Sequence, residues 1–415
     1  MFRKIILLLL LFCYVFAFYL GPFSVSLLIS IPLYFYCLVD RKFLLEVYAV
    51  INTKLLKSCL KAWFFIVILA LLFPILYLTF SYSFFKVVGM QGAHFIAAIP
   101  FFAYLKYTKV SFDELERCYV YIFVIQTFIQ LIVLNNAYLG EKILLFNHFE
   151  VDKAVGLGSN IRGKALSAAT TYHLTMAYGF CFIIYLKRYL SIAITLKNIL
   201  IGILIFVGIF CAGRSGFVAC LIGIIGFLFY KNGIVRNFYI LLKATMLVMI
   251  LLLILSAILI NLFPDFWTKL NEQVLPYAFE FLYSLDNSGK METASTNHLT
   301  AMWMDRDFNM WELVFGSGKY TNPDGTSYMH VDPGILRHLL FMGVLGYLIL
   351  YIYQLCLFPI WKMKGETKYY YSLIFLFLAI MDFKGINIGL NKFAFAITLL
   401  LSYGYFYLQH DKQLK

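Results

Sequence analysis

The chain has 415 residues, of which 62% are hydrophobic and 13% charged, with a net charge of +13 and a mean hydropathy of +0.84. A soluble domain has about half its residues apolar and about a quarter charged, so this composition excludes a water-soluble globular protein and points to an integral membrane one. The positive charge, which would suggest nucleic acid in a soluble chain, must first be sorted by side of the membrane, and that sorting accounts for most of it.

The apolar residues come in blocks of about the length that crosses a bilayer as a helix, without the period-two alternation of a β-barrel. The expected fold class is therefore all-α: a polytopic membrane helix bundle forming one integral membrane domain over residues 1–415. In chain order the expected spans, about twelve, are Ile5 to Leu20, Phe23 to Val39, Ala62 to Phe80, Met90 to Leu105, Cys118 to Leu134, Ala165 to Leu186, Ile199 to Ala212, Gly216 to Tyr230, Phe238 to Leu262, Gly334 to Phe358, Tyr369 to Met381 and Ile388 to Leu408. Several are short for the hydrocarbon thickness, which tilting or re-entry would accommodate. Arg3-Lys4 ahead of Ile5 to Leu20 is similar to the start of a signal peptide. A clear small-x-small cleavage site is lacking and a second apolar block follows almost at once, so this stretch is read as the first span.

Lys and Arg near span ends favour the cytoplasm, and here alternate ends carry most of them. Arg3, Lys4, Arg41, Lys42, Lys54, Lys106, Lys187, Arg188, Lys231, Lys243, Lys362, Lys364 and Lys412 fall on one side, with Lys86 and Lys384 among the exceptions. Both termini are then cytoplasmic. The opposite ends form the exterior face: the loop Asn135 to Lys164, the turn Gly213-Arg214-Ser215, the long loop Phe263 to Asp332 and the turn Asp382 to Asn387. The long loop is acidic on balance, and its Trp267, Trp303 and Trp311 suit interface anchoring more than sugar stacking.

The exterior polar residues carry the chemistry this chain could perform. Arg214 sits in a turn so short that its side chain is held at the membrane boundary. Ser215 as N-cap of the next helix would bring free amides and the positive dipole end beside it, which is an anion site. The bland alternative is an Arg reaching for phospholipid headgroups. Arg162, in Gly158-Ser159-Asn160-Ile161-Arg162-Gly163-Lys164, has similar geometry, and Lys164 adds charge. Asp332 precedes Pro333, so its simplest role is to cap the tenth span with proline at the first helical position. A carboxylate fixed there near cations could also take a proton from a sugar hydroxyl. His330 is a second candidate base, Arg337 and His338 follow one turn further in, and His298 is another exterior histidine. The cysteines lie in apolar surroundings without CxxC spacing, and HExxH, Cys/His ligand spacing and an acidic metal cluster are all missing from the sequence. No disulfide, metal or other cofactor is expected.

Taken together, several features resemble the O-antigen polymerase (Wzy) family, which is related to the O-antigen ligases. They are the multiple spans, Arg162 entering a helix from outside, Arg214 in a Gly-Arg-Ser turn, and a long exterior loop ending in Phe315-Gly316-Ser317-Gly318, Asp332-Pro333-Gly334 and Gly343-Val344-Leu345-Gly346. The resemblance implies a membrane glycosyltransferase of the bacterial inner membrane. It would transfer a growing glycan from undecaprenyl diphosphate to a new lipid-linked repeat unit at the periplasmic face. Membrane lipid and a chain-length regulator protein would be its partners, and nucleic acid would not. Arg162 and Arg214 would hold the diphosphate, Asp332 or His330 would be the base, and Lys164, His298 and Arg337 would complete the substrate contacts. Ligases usually carry His where this chain has Asp332, and often Arg near His298, so both departures favour polymerase over ligase. A transporter of lipid-linked oligosaccharide is the alternative from a different class. It would place charges near the bilayer midplane rather than at one face.

Overall fold

Each of the twelve expected apolar segments contains a helix in the computed structural model, which describes residues 2–147, 165–169, 171–230, 233–262, 264–269, 271–272, 280, 284–285 and 293–408. The first half comprises α1 (Phe2–Phe16), the two-residue strands β1 (Tyr19–Leu20) and β2 (Phe23–Ser24), α2 (Val25–Val39), α3 (Arg41–Ile51), α4 (Lys54–Leu76), α5 (Ser83–Tyr107), α6 (Phe112–Asn135) and α7 (Ala137–Leu144). The second half comprises α8 (Tyr172–Tyr185), α9 (Leu196–Ala212), α10 (Gly216–Phe229), α11 (Ile234–Leu262), α12 (Pro264–Lys269), α13 (Ala294–Met304), α14 (Met310–Phe315), α15 (Gly334–Leu357), α16 (Gly365–Met381) and α17 (Lys392–Tyr407). Among the described residues the fold is all-α apart from the antiparallel contact of β1 with β2 and an isolated antiparallel bridge between Thr321 and Ser327.

Local sequence explains where the helices start. Asp40, Thr53, Ser111, Thr195, Thr293, Asn309 and Asn391 each accept a hydrogen bond from an amide of the helix that follows, which satisfies donors left without intrahelical partners. The Asp40 cap begins α3, an amphipathic helix that lies between the second and third expected spans. It packs beside α2 and α5, with Glu46 paired to Lys106 at 2.8 Å.

Among the described residues, five helices are long and apolar enough to cross a membrane: Lys54–Leu76, Ser83–Tyr107, Phe112–Leu134, Ile234–Leu251 and Gly334–Lys362. Large apolar side chains remain on the outside, among them Leu38, Val39, Val235, Leu253 and Leu345. Water would penalise such a surface and hydrocarbon would not, so the apolar helices mark a membrane-embedded protein. The centre is α8, buried along its whole length from Leu174 to Tyr185 and packed against α6, α9, α10, α16 and α17. A helix apolar on every side belongs inside a bundle.

The bundle has two unlike ends. At the basic end, the Arg3 guanidinium donates to the Thr108 carbonyl at 3.0 Å and pairs with Glu114, and the Lys364 amide donates to the Tyr405 hydroxyl at 2.9 Å. A π-helical turn, Leu186–Leu190, follows α8 there. Its widened pitch lets the consecutive Lys187 and Arg188 both reach the buried Glu116. At the opposite end, the turn at Gly213 meets Thr175 near the start of α8, and Tyr172 meets the turn after α16. The Ile335 amide of α15 bonds the Asp382 carbonyl at 3.3 Å. Arg214, Asp332 and Asp382 therefore share one end.

Candidate functional site

The polypeptide that leads into α15 is fastened to a break in that helix. Gly343 interrupts α15 with φ +69°, so the Leu340 and Phe341 carbonyls lose their usual acceptor role. They are met instead by the incoming loop. Ser317 N and Ser317 Oγ donate to the Leu340 carbonyl at 2.7 and 2.8 Å, and Gly318 N donates to the Phe341 carbonyl at 3.0 Å. Gly316, at φ +89°, lies so close to Phe341 and Met342 that a Cβ would strike their backbone, and a Cβ on Gly343 would strike Val314. The two glycine-bearing stretches, far apart in sequence, are thus halves of one backbone joint. Tyr77 and Thr79 brace it from α4, donating to the Phe315 and Gly318 carbonyls at 2.7 and 2.9 Å.

Beyond the joint, the chain runs over Tyr320 and turns back through Tyr328 to His330. Met329 and His330 both hold left-handed backbone, φ 53° and 52°, a conformation that costs a non-glycine residue about 1–2 kcal/mol. Arg306, which donates to the Met329 carbonyl, holds this turn. His330 and Asp332 are exposed. The expected capping role of Asp332 is not met: α15 starts one residue later than expected, Pro333 takes the cap position, and no side chain caps it. The first turn is seated on the Asp382 turn instead, with Gly334 against Asp382 and Gly385.

Arg214 also differs from expectation. It is half-buried and forms an ion pair with Glu280. Ser215 has helical backbone angles and makes no cap bond. The amides of Gly216, Phe217 and Val218 turn back to the carbonyls of Gly213, Arg214 and Ser215 at 3.2, 3.0 and 3.3 Å. The donors expected to greet an anion at this helix start are therefore already engaged. Arg162 and Lys164 lie outside the described residues. His298 is exposed on α13.

Arg337 is where polar groups accumulate. Its guanidinium lies over the Tyr320 ring at 4.5 Å, and its Nε is buried without a partner. The other face of the arrangement is His338, fully buried and stacked nearly parallel on Tyr320 (6.4 Å, 16°) and Tyr347 (6.1 Å, 22°). Neither nitrogen of His338 has a partner, nor does the Tyr320 hydroxyl. The Tyr347 hydroxyl continues the series by donating to Asp382 Oδ2 at 2.7 Å. Burial pushes the Tyr320 phenol up, against the opposing pull of Arg337.

Sequence reasoning placed the turn Asp382 to Asn387 on the exterior face and gave it no role, yet it underlies all this. Asp382 is fully buried, and the amides of Asn387 and Ile388 donate to its Oδ1 at 2.8 and 3.1 Å. Burial still dominates and pushes its carboxyl up to about 6. Asn387 donates to Tyr172, Asn391 donates to Asn387 at 3.0 Å, and Asn391 caps α17. His173 lies within electrostatic reach of both Lys392 and Arg337. The signal was present in the spacing Asp382, Asn387, Asn391, Lys392, a run of polar residues wedged between two apolar blocks. A comparison with known protein families, with curated proteins and with solved structures finds no match.

Proposed function

We propose that the chain is a surface-polysaccharide polymerase of the bacterial inner membrane, crossing it about twelve times with both termini in the cytoplasm and its basic end inside. The end carrying Arg214, Asp332 and Arg337 then faces the periplasm. There it joins a growing glycan, carried on undecaprenyl diphosphate, to the hydroxyl of a new lipid-linked repeat unit. One observation carries this reading: a polar layer, with Asp382, Asn387 and Asn391 fully buried and Tyr172 of α8 and Tyr347 of α15 bonded to it, closes one end of the bundle. Buried polar groups in such a chain are costly and mark function. Their position at an end favours surface chemistry over a transport path through the midplane.

In the proposed reaction the acceptor oxygen bonds to the anomeric carbon as the bond from that carbon to the diphosphate breaks. Asp332 or His330 takes the hydroxyl proton, and cations receive the departing diphosphate. Arg214 can serve only if the diphosphate displaces Glu280. The exposure of Asp332 and His330 suits groups that must meet a large glycan arriving from outside.

Vesicles reconstituted with the protein and lipid-linked repeat units test the reading. Elongation without any ion gradient is expected. Arg214→Ala should lower turnover by roughly 10², and Asp332→Asn or His330→Gln, whichever is the base, by at least roughly 10². Wild-type turnover in an Asp332→Asn/His330→Gln double variant that inserts normally would remove this mechanism. In cells, loss of the polymerase should leave single repeat units attached to lipid A core, whereas loss of a ligase would leave none.

A further inference from the structure

Among the described residues, four buried polar atoms without a partner crowd around the first turn of α15. They are Arg337 Nε, both nitrogens of His338 and the Tyr320 hydroxyl, and Tyr320 and His338 are 3% and 0% exposed. Among the described residues no carboxylate pairs with Arg337. Unsatisfied buried groups are rare, because each forfeits its hydration without return. Here they are not scattered: the Arg337 guanidinium lies over the Tyr320 ring and the His338 imidazole stacks on that same ring.

We infer that Arg337, Tyr320 and His338 form a binding site for a phosphate group, and specifically for the diphosphate of a lipid-linked substrate. A phosphate is the ligand whose acceptor oxygens match this donor set. The guanidinium gives charge and direction, the phenol gives one O–H, and the neutral His338 imidazole can present one N–H. The assignment rests on the polymerase reading for the identity of the lipid-linked substrate. It makes Arg337 the first cation the diphosphate meets, with Arg214 joining once the diphosphate displaces Glu280.

The test uses the full chain in lipid nanodiscs with inorganic pyrophosphate as probe, followed by phosphorus NMR line broadening. The wild type should bind saturably. Arg337→Lys and Tyr320→Phe should each weaken binding roughly tenfold, and Arg337→Gln should abolish it. Absence of saturable binding to the wild type, or wild-type affinity in a folded Arg337→Gln variant, would overturn the site. Tyr320→Phe keeps the ring and its stacking, so the proposal stays testable even if an Arg337 variant fails to fold. Displacement of pyrophosphate by polyprenyl diphosphate added to the discs supports the lipid-linked assignment, whereas displacement by phosphatidylglycerol alone overturns it. Polymerisation at the wild-type rate by Arg337→Gln overturns the substrate role and leaves the polymerase reading standing. Diphosphate binding in a wild type that elongates no lipid-linked glycan does the reverse.

Discussion

The two ends of the bundle each bury charge, and they treat it in opposite ways. At the basic end, Glu116 and Lys187 are almost wholly inaccessible and 2.7 Å apart. Arg188 joins Glu116 and also pairs with Asp113 at 2.9 Å. Tyr371 donates to Glu116 at 2.9 Å, Lys187 donates to Thr367 at 3.0 Å, and the Phe112 and Tyr371 rings lie beside the Lys187 ammonium. In that cluster Glu116, Asp113, Lys187 and Arg188 each have an oppositely charged partner. At the other end Arg337 has an aromatic face and no carboxylate, and His338 has stacking partners and no hydrogen bond. A closed network holds helices together, and an open one is ready for something else.

Breaking the closed network should produce the largest effect. Glu116→Ala would leave two buried cations facing each other, and removing one partner of a buried pair costs about 3–5 kcal/mol. Thermal unfolding in detergent should show a large fall in Tm or loss of folded material. Arg337→Gln, by contrast, should leave Tm unchanged or higher, since it removes a half-buried charge that, among the described residues, no carboxylate offsets. Equal losses for both variants would erase the distinction between the ends.

The next effect belongs to the backbone joint. Gly343→Ala forces an L-residue to φ +69°, a strain of about 1–3 kcal/mol, and drives its Cβ into Val314. Gly316→Ala meets the same obstacle from the other side. Both should lower Tm, and because each blocks the same contact, the double variant should lose less than the sum. Strict additivity would mean the two glycines do not share a joint.

That joint shows what could be seen in the linear chain and what could not. Each apolar block holds a helix because burial and backbone satisfaction leave it little alternative, and the Ser, Thr, Asn and Asp caps announce several starts. The Gly316-Ser317-Gly318 and Gly343 to Gly346 motifs were visible as residues, while their mutual contact needed three dimensions. Asp332 looked like a cap from its place before proline, yet a one-residue shift of the helix start moved it into solvent. The partner of Arg214 lies 66 residues away in Glu280, a separation that no local pattern encodes. Asp382 was read only as part of a short exterior turn, because nothing in its neighbours reveals that Tyr347 and Gly334 fold over it.

A pH effect follows from Asp382. Its folded-state carboxyl is raised from 3.8 to about 6, so the folded protein keeps a proton that the unfolded chain releases near pH 4. Stability therefore falls as pH rises from about 4 to about 6 and levels off above, by about 3 kcal/mol in total. Asp382→Asn, which cannot ionise, should flatten this slope in Tm measured across that range. It should also keep an oxygen for the Asn387 and Ile388 amides. An unaltered slope would move the titration to another group.

The smallest change in stability is the sharpest test of the contrast between the ends. Tyr320→Phe deletes a single buried hydroxyl with no partner and preserves the ring under Arg337 and beside His338. An unsatisfied buried hydroxyl costs about 1–3 kcal/mol, so its removal should raise Tm slightly. At the basic end the matching change, Tyr371→Phe, deletes a hydroxyl that donates to Glu116 and should lower Tm. Two identical chemical edits with opposite signs would be hard to explain by generic packing. The gain at Tyr320 should come with weaker pyrophosphate binding, since the atom that destabilises the empty fold is the one placed to meet a phosphate. A Tyr320→Phe protein that is both less stable and unimpaired in binding would show that the hydroxyl is ordinary core and that the upper end is as closed as the lower.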